Sequence, residues 1–480
     1  MGQTSTTIRS FGFFSNGSWS SHGTEGVVNS PYDHNVIAVI SEAGPDDVEA
    51  AIEGAGQAFA ETRRMSSYER AKILREVADG IAGQYEQFAR TICQEAAKPI
   101  KTARIEVDRA INTFRIAAEE ATRIYGEYLP LDTLESTAGR WGMVKRFALG
   151  PVFAITPFNF PLNLVAHKIA PAIAAGCPII LKPAPQTPIS SLMLAEIVDQ
   201  TSWPDGALAV MPMSNDNAAV LVADERIKLL TFTGSAAVGW QLKGRAGKKR
   251  VVLELGGNAG VIVHSDTDLQ HAVQRCVAGG FSYAGQTCIS VQRIVVHEPV
   301  FERFTELLVQ GVRKLKCGDP AEESTDVAPL IREQDAVRVT QWIDEAVQAG
   351  AKLLCGGKRK GSMVEPAVLT GTSPHMRVNC AELFGPVVTV ERYETFEEAL
   401  TTINHSNYGL QAGLMTRDAT LIQHAFETLD VGGLIVGDVP SFRVDQMPYG
   451  GVKDSGLGRE GLRYSIEDMT ERKLMVMAVK

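Results

Sequence analysis

Several things are scarce or missing in this chain of 480 residues. No apolar run approaches the roughly 18 to 20 residues that cross a bilayer, and the N-terminal MGQTSTTIRSFGFFSNG lacks a basic stretch followed by an apolar core. Neither a membrane span nor a secretory leader is expected, so the expected compartment is the cytoplasm. Met1-Gly2-Gln3-Thr4-Ser5-Thr6 fits the myristoylation pattern, which is too permissive to carry weight. Cysteine is sparse: Cys93, Cys177, Cys276, Cys288, Cys317, Cys355 and Cys380 are odd in number and form no CxxC pair. That excludes a disulfide framework and a zinc cluster, and no metal is expected. Basic residues do not dominate, with 47 against 56 acidic and a net charge of -9, so nothing electrostatic favours nucleic acid. Internal repeats and low-complexity linkers are absent. With 45% hydrophobic and 21% charged residues, disorder and coiled coil are excluded.

What is there is enough for at least two globular domains, since a single core stops growing at roughly 250 to 300 residues. Residues 44–125 repeat apolar side chains at three- and four-residue spacing after a Pro45-Asp46-Asp47 start signal, which predicts a layer of helices opening the first domain. From about 148, the short apolar runs GPVFAITP, CPIILKP, GALAVMPM, KLLTFTG and RVVLELGG alternate with helical stretches. That pattern predicts a parallel sheet wrapped by helices. A second α/β unit is expected at 257–456 from GVIVHS, QRIVVHE, AKLLCGG, GPVVTVERY, AGLMTRD and GGLIVGD. Residues 126–144 have hairpin character. The tail Lys473–Val479 reads as a strand with no partner nearby, which invites a second subunit.

Four short segments carry candidate chemistry. In GQTC, Cys288 follows a glycine-containing polar stretch suited to a loop or helix start, where backbone amide dipoles lower a thiol pKa; the alternative is an inert buried thiol. Glu254 sits among apolar residues before Gly256-Gly257, and such surroundings raise a carboxyl pKa toward that of a general base, unless it faces solvent. Asn159, between Pro157 and Pro161, is either a fixed oxyanion donor or a turn residue. Phe232-Thr233-Gly234-Ser235 passes from a predicted strand into a helix, a place for a pyrophosphate. Gly234 and Gly239 do not spell GxGxxG, so spacing alone supports a dinucleotide weakly.

Taken together, PFNFP, KPAPQTP, FTGS, LELGG and GQTC, followed by Glu382-Leu383-Phe384-Gly385-Pro386 and by Pro448 to Gly456, resemble the NAD(P)-dependent aldehyde dehydrogenase superfamily over nearly the whole chain. The resemblance implies an α/β fold: a Rossmann-like NAD(P)-binding domain at 1–125 and 145–256, a catalytic domain at 257–456, and a bridging segment at 126–144 and 457–480. It implies a hairpin that the C-terminal strand completes in a partner subunit, in a homodimer or homotetramer. Cys288 resembles the nucleophile, Asn159 the oxyanion donor, Glu254 the base that activates water, and Lys168 a lysine near the proton path. Thr156, Pro157, Phe158, Phe232, Gly234, Leu255 and Gly256 are implied around the cofactor, NAD or NADP. Lys182 corresponds to an adenosine-ribose ligand, Ser235 to a pyrophosphate ligand, and Glu382 to a nicotinamide-ribose ligand with Phe384 beside it. Pro185 replaces an acid that in NAD-preferring relatives repels a 2′-phosphate, so NADP should be tolerated.

The same resemblance places Ile105, Arg109, Phe160, Asn163, Leu164, His167, Thr287, Ile289 and Phe442-Arg443 along the aldehyde tunnel. Two guanidinium groups and an imidazole favour a short polar or anionic aldehyde, of the lactaldehyde, semialdehyde, phosphono or sulfo type. The alternative is that Arg109 and Arg443 pair with protein acids such as Glu106 or Asp445. Thr287, where phosphorylated-triose relatives often carry Arg, weakens that substrate class. Glu254 favours water over coenzyme A as acyl acceptor. The rival readings are a CoA-acylating semialdehyde dehydrogenase and a non-catalytic structural homologue.

Overall fold

The computed structural model describes residues 9–479; the Met1–Thr6 pattern lies outside them. The predicted helices are present as Pro45–Thr62, Ser67–Gly83, Tyr85–Ala96 and Ile100–Glu120. Ser66 and Glu69 close the second of these reciprocally, the Ser66 hydroxyl accepting from the Glu69 amide at 3.2 Å and the Glu69 carboxylate accepting from the Ser66 amide at 2.7 Å. Ile73, Leu74, Val77 and Ile81 recur at helical spacing and are completely buried, each worth about 1.5 to 3 kcal/mol. The expectation that helices open the chain needs correction. Five short strands, from Arg9–Phe11 to Val36–Glu42, come first. Three of them have only three residues each, too few to show a period.

The first sheet has eight strands in the order Gly456–Leu457, Arg250–Glu254, Leu229–Thr233, Val152–Ile155, Ile179–Lys182, Leu208–Val210, Phe13–Ser15 and Ser18–Ser20. Its five central strands are parallel and coincide with the five apolar runs. A seven-stranded sheet follows in the order Lys352–Cys355, Ala367–Thr370, Val387–Tyr393, Arg293–His297, Gly260–Val263, Gln411–Met415 and Gly433–Val436. All its pairings are parallel except that of Lys352–Cys355 with Ala367–Thr370. Ala367–Thr370 is a strand the sequence did not announce, being short and close to Gly and Pro.

A three-stranded sheet formed by 127–130, 140–148 and 470–478 corrects the reading of the tail. Thr470–Ala478 pairs antiparallel with Arg140–Ala148 of its own chain, and that strand pairs with Glu127–Pro130. The partner was missed because it is distant in sequence. Within the bridging segment expected at 457–480, Leu462, Ile466 and Met469 are buried in the core of the first sheet.

Candidate active site

The parallel strands of the first sheet deliver their C-terminal ends to one place. Val152–Ile155 leads into Thr156–Phe160, Leu229–Thr233 into Gly234-Ser235, and Arg250–Glu254 ends on the carboxylate itself. This is the edge where open α/β sheets bind ligands. Cys288 approaches from the other side, in the turn that precedes the strand Arg293–His297. Between them lies a cavity of about 1190 Å³ lined by Thr233 and Glu254 of the first sheet and by loop and helix residues such as Val273, Cys288 and Leu307.

The nucleophile turn is forced into shape by its sequence. Tyr283, Ala284 and Gly285 are all left-handed, with φ of 48°, 53° and 71°. The Tyr283 hydroxyl donates to the Ala96 carbonyl at 2.8 Å, and Gln286 accepts from the Ile331 amide at 2.9 Å. Cys288 therefore sits in a turn and not at a helix start, so the expected helix dipole is absent. Burial pushes its thiol up to about 11, against the pull of the Tyr449 hydroxyl and the Arg443 charge.

Asn159 is 4% exposed and faces the same turn, its side-chain amide donating to the Gln286 carbonyl at 3.0 Å. One amide hydrogen is thus used, and the second remains available to an oxyanion. The Asn159 carbonyl accepts from the Lys98 ammonium at 2.6 Å. Lys98 is completely buried, ion-paired with Glu106, and lies 3.7 Å from the Phe160 ring centroid and 4.5 Å from that of Tyr283. Glu106 accepts in turn from the amides of Leu162 and Asn163, at 3.0 and 3.1 Å.

Glu254 is 3% exposed and neither carboxylate oxygen has a hydrogen-bond partner. Burial, reinforced by the charge of Glu460, holds it well above the ordinary carboxyl range; Arg443 and Lys168 oppose the shift only in part. Glu460 itself shows the opposite behaviour: although burial works against ionisation, Lys168 and Arg443 pull it down to about 2. Two carboxyls of one buried cluster are thereby driven apart, one toward the acid form and one held ionised.

Most of the predicted residues line the cavity, Ile105 and Leu164 among them. Six do not: Thr156, Lys168, Lys182, Pro185, Phe232 and His167; nor does Phe442. Lys168 is buried in an ion pair with Glu460. The Phe232 ring lies behind Gly234, close to where a Cβ there would fall. Pro185 is exposed on the surface. His167, expected to point at the substrate, instead bonds Asp445 at 2.9 Å in the interior, so that expectation is corrected. Asp445 draws in Arg109 at 2.7 Å and the Asn163 amide at 3.4 Å as well, and their convergence explains the buried imidazole. Arg443 pairs with Glu460 at 2.9 Å, not with Glu106 or Asp445. Both arginines still line the cavity, and each has an Nε with no acceptor.

Tyr449, Glu460 and Lys98 were not singled out from sequence. Tyr449 stands inside the Pro448–Gly456 motif, but its contact with Cys288 joins distant segments.

Two of the residues expected to meet a dinucleotide are glycines whose own neighbours in the fold leave no space for a side chain. A Cβ on Gly256 would collide with the Glu382 carboxylate, and one on Gly234 with the Phe232 ring. Burial lowers the pKa of Lys182, whose ammonium has no acceptor among the described residues, and pushes Glu382 up to about 7. The Gly257 amide donates to Glu382 at 3.0 Å.

The sequence model of the Aldehyde dehydrogenase family matches residues 19–475. The chain is 42% identical over 475 residues to a 3-sulfolactaldehyde dehydrogenase of Priestia aryabhattai, covering 98% of this chain and 99% of that protein. It superposes with a TM-score of 0.97 on aldehyde dehydrogenase 21 of Physcomitrella patens in complex with the reaction product succinate, at 45% identity and 98% and 99% coverage. A glyceraldehyde-3-phosphate dehydrogenase of Methanocaldococcus jannaschii complexed with NADP matches with a TM-score of 0.92, at 36% identity and 96% and 100% coverage.

Proposed function

The chain belongs to the aldehyde dehydrogenase family, and we propose that its substrate is a short polar or anionic aldehyde, with a carboxylate or sulfonate tail favoured. It is an NAD(P)-dependent oxidoreductase that converts an aldehyde to its acid. The observation that carries the substrate reading is the pair of guanidinium groups, Arg109 and Arg443, in the wall of the cavity that also holds Cys288. A relative named for a sulfonated aldehyde and a structure holding succinate support it.

In this reading the Cys288 sulfur adds to the carbonyl carbon, and the free hydrogen of the Asn159 amide holds the oxyanion of the thiohemiacetal. Bound NAD(P) supplies the two-electron acceptor that leaves a thioester on Cys288. Glu254, unpaired and poised by burial, takes a proton from water, and the resulting hydroxide releases the acid. Lys182 would hold the adenosine ribose, Ser235 the pyrophosphate and Glu382 the nicotinamide ribose, with Phe384 packed beside it. Pro185 sets no negative charge against a 2′-phosphate, so both NAD and NADP are accepted. The first sheet forms the cofactor domain, the second the catalytic domain, and the three-stranded sheet the contact of a homodimer or homotetramer in the cytoplasm. Among the described residues no helix is long and apolar enough to cross a membrane.

A panel of short aldehydes, tested with each cofactor and read as nicotinamide absorbance, tests this. Anionic aldehydes should have the highest kcat/KM; a preference for neutral aldehydes of equal length would refute the substrate reading. Cys288→Ala should abolish turnover, and residual activity would sink the nucleophile assignment; no turnover by the parent protein with any aldehyde would favour the silent homologue. Acid as the product both with and without coenzyme A is expected, because Glu254 serves hydrolysis; an acyl-CoA product would favour the acyl-transferring rival.

A further inference from the structure

The reaction above leaves unused the side chain that touches its sulfur. The Tyr449 hydroxyl lies 2.8 Å from Cys288 Sγ and has no other hydrogen-bond partner among the described residues. The ring is 2% exposed and packs with Ile289 and Leu410. Its backbone is clasped on both sides by Glu460, the Tyr449 amide donating to the Glu460 carbonyl at 3.0 Å and the Glu460 amide donating back at 2.6 Å. Above the ring stands Arg443, its guanidinium carbon 3.8 Å from the centroid. Phenylalanine would fill the same apolar space, so packing alone does not account for the hydroxyl.

An oxygen–sulfur contact can run in two directions. If the thiol donates, the contact favours the protonated, inert sulfur; if the phenol donates, it favours the thiolate. The cation over the ring selects the second, because it draws electron density from the phenol, strengthens its O–H as a donor, and lies close enough to favour negative charge on sulfur.

We propose that Tyr449 is a catalytic residue whose hydroxyl donates a hydrogen bond to the Cys288 thiolate, holding the sulfur charged and aimed until it bonds to the carbonyl carbon. The proposal rests on Cys288 as the nucleophile. The phenol forms and breaks no covalent bond, and it keeps its proton throughout: burial, then the neighbouring Cys288 charge, hold it well above the ordinary tyrosine range.

The test is alkylation of Cys288 by iodoacetamide without cofactor, followed by peptide mass spectrometry across neutral to alkaline pH, in the parent and in Tyr449→Phe. Peptide resolution separates Cys288 from the exposed Cys317 and Cys380. The variant's rate profile should move to higher pH by about one unit, a roughly tenfold slower reaction near pH 8. The deficit in aldehyde oxidation should shrink as pH rises. Overlapping profiles would overturn the proposal, and a shift to lower pH would show that the phenol accepts from the thiol. Cys288→Ala separates the two levels: if that variant still oxidises aldehydes, the nucleophile is wrong, whereas an inactive Cys288→Ala with an unmoved Tyr449→Phe profile condemns the tyrosine alone.

Discussion

Burial makes Glu254 and Cys288 reluctant to ionise, and both are read as acting in the ionised form. The rate of the hydrolytic step should therefore climb with pH above the ordinary carboxyl range, because burial and the Glu460 charge raise the Glu254 carboxyl well above its ordinary value. Glu254→Gln should give a single stoichiometric burst of reduced nicotinamide in stopped flow and then stall; steady turnover after the burst would mean another base is at work. The arginines call for a different measurement. Arg109 is held by Asp445 yet lines the cavity, so Arg109→Ala should cost about 2 kcal/mol of transition-state binding, roughly 30-fold in kcat/KM, with anionic aldehydes and much less with neutral ones. Equal losses with both would mean that the ion pair is only structural.

Among the elements, the junction between Tyr85–Ala96 and Ile100–Glu120 has the most to hold. It supplies Lys98, which ties the Asn159 loop to the helix layer, while Glu106 caps the amides at 162 and 163. Lys98→Met leaves Glu106 buried without its cation, at an expected cost of about 3 to 5 kcal/mol, and Lys98→Met with Glu106→Gln should recover most of it. Urea midpoints of the two variants check this; if the double variant is no better than the single, charge pairing is not the cause. The parallel strands of both sheets, Ala367–Thr370 apart, were readable because buried parallel strands are short apolar runs whatever their neighbours do. Side-chain partnerships such as those of Lys98 were not. A lysine in AAKPI looks like any surface lysine until the fold brings Glu106, Phe160 and Tyr283 around it.

On the scale of the molecule, the buried cluster joins the helix Asn163–Ala175, through Lys168, to Arg443 and Glu460 near the C-terminus. Glu460 titrates at about 2 in the fold against 4.5 in a free carboxyl. A depressed carboxyl stabilises above its unfolded pKa, so this contribution is complete near neutrality and is lost as pH falls from about 4.5 to about 2. Thermal melts should show that loss, and Glu460→Gln should show a smaller one; parallel curves would remove Glu460 as a cause. The motifs located Cys288, Glu254 and Asn159 because each stands in a distinctive local run. Tyr449 and Glu460 act across the chain, and local spacing carries no trace of that. The same holds for the tail, whose strand pairs far upstream.

The left-handed run from Tyr283 to Gly285 also sets a limit on engineering. Two successive residues bearing a Cβ in that conformation each hold back on the order of 1 kcal/mol. Ala284→Gly should release part of it and raise the melting temperature, while giving the nucleophile's turn more orientations to wander through and so slowing acylation. A protein that melts higher yet works more slowly would show that the tension in this corner is spent on aim.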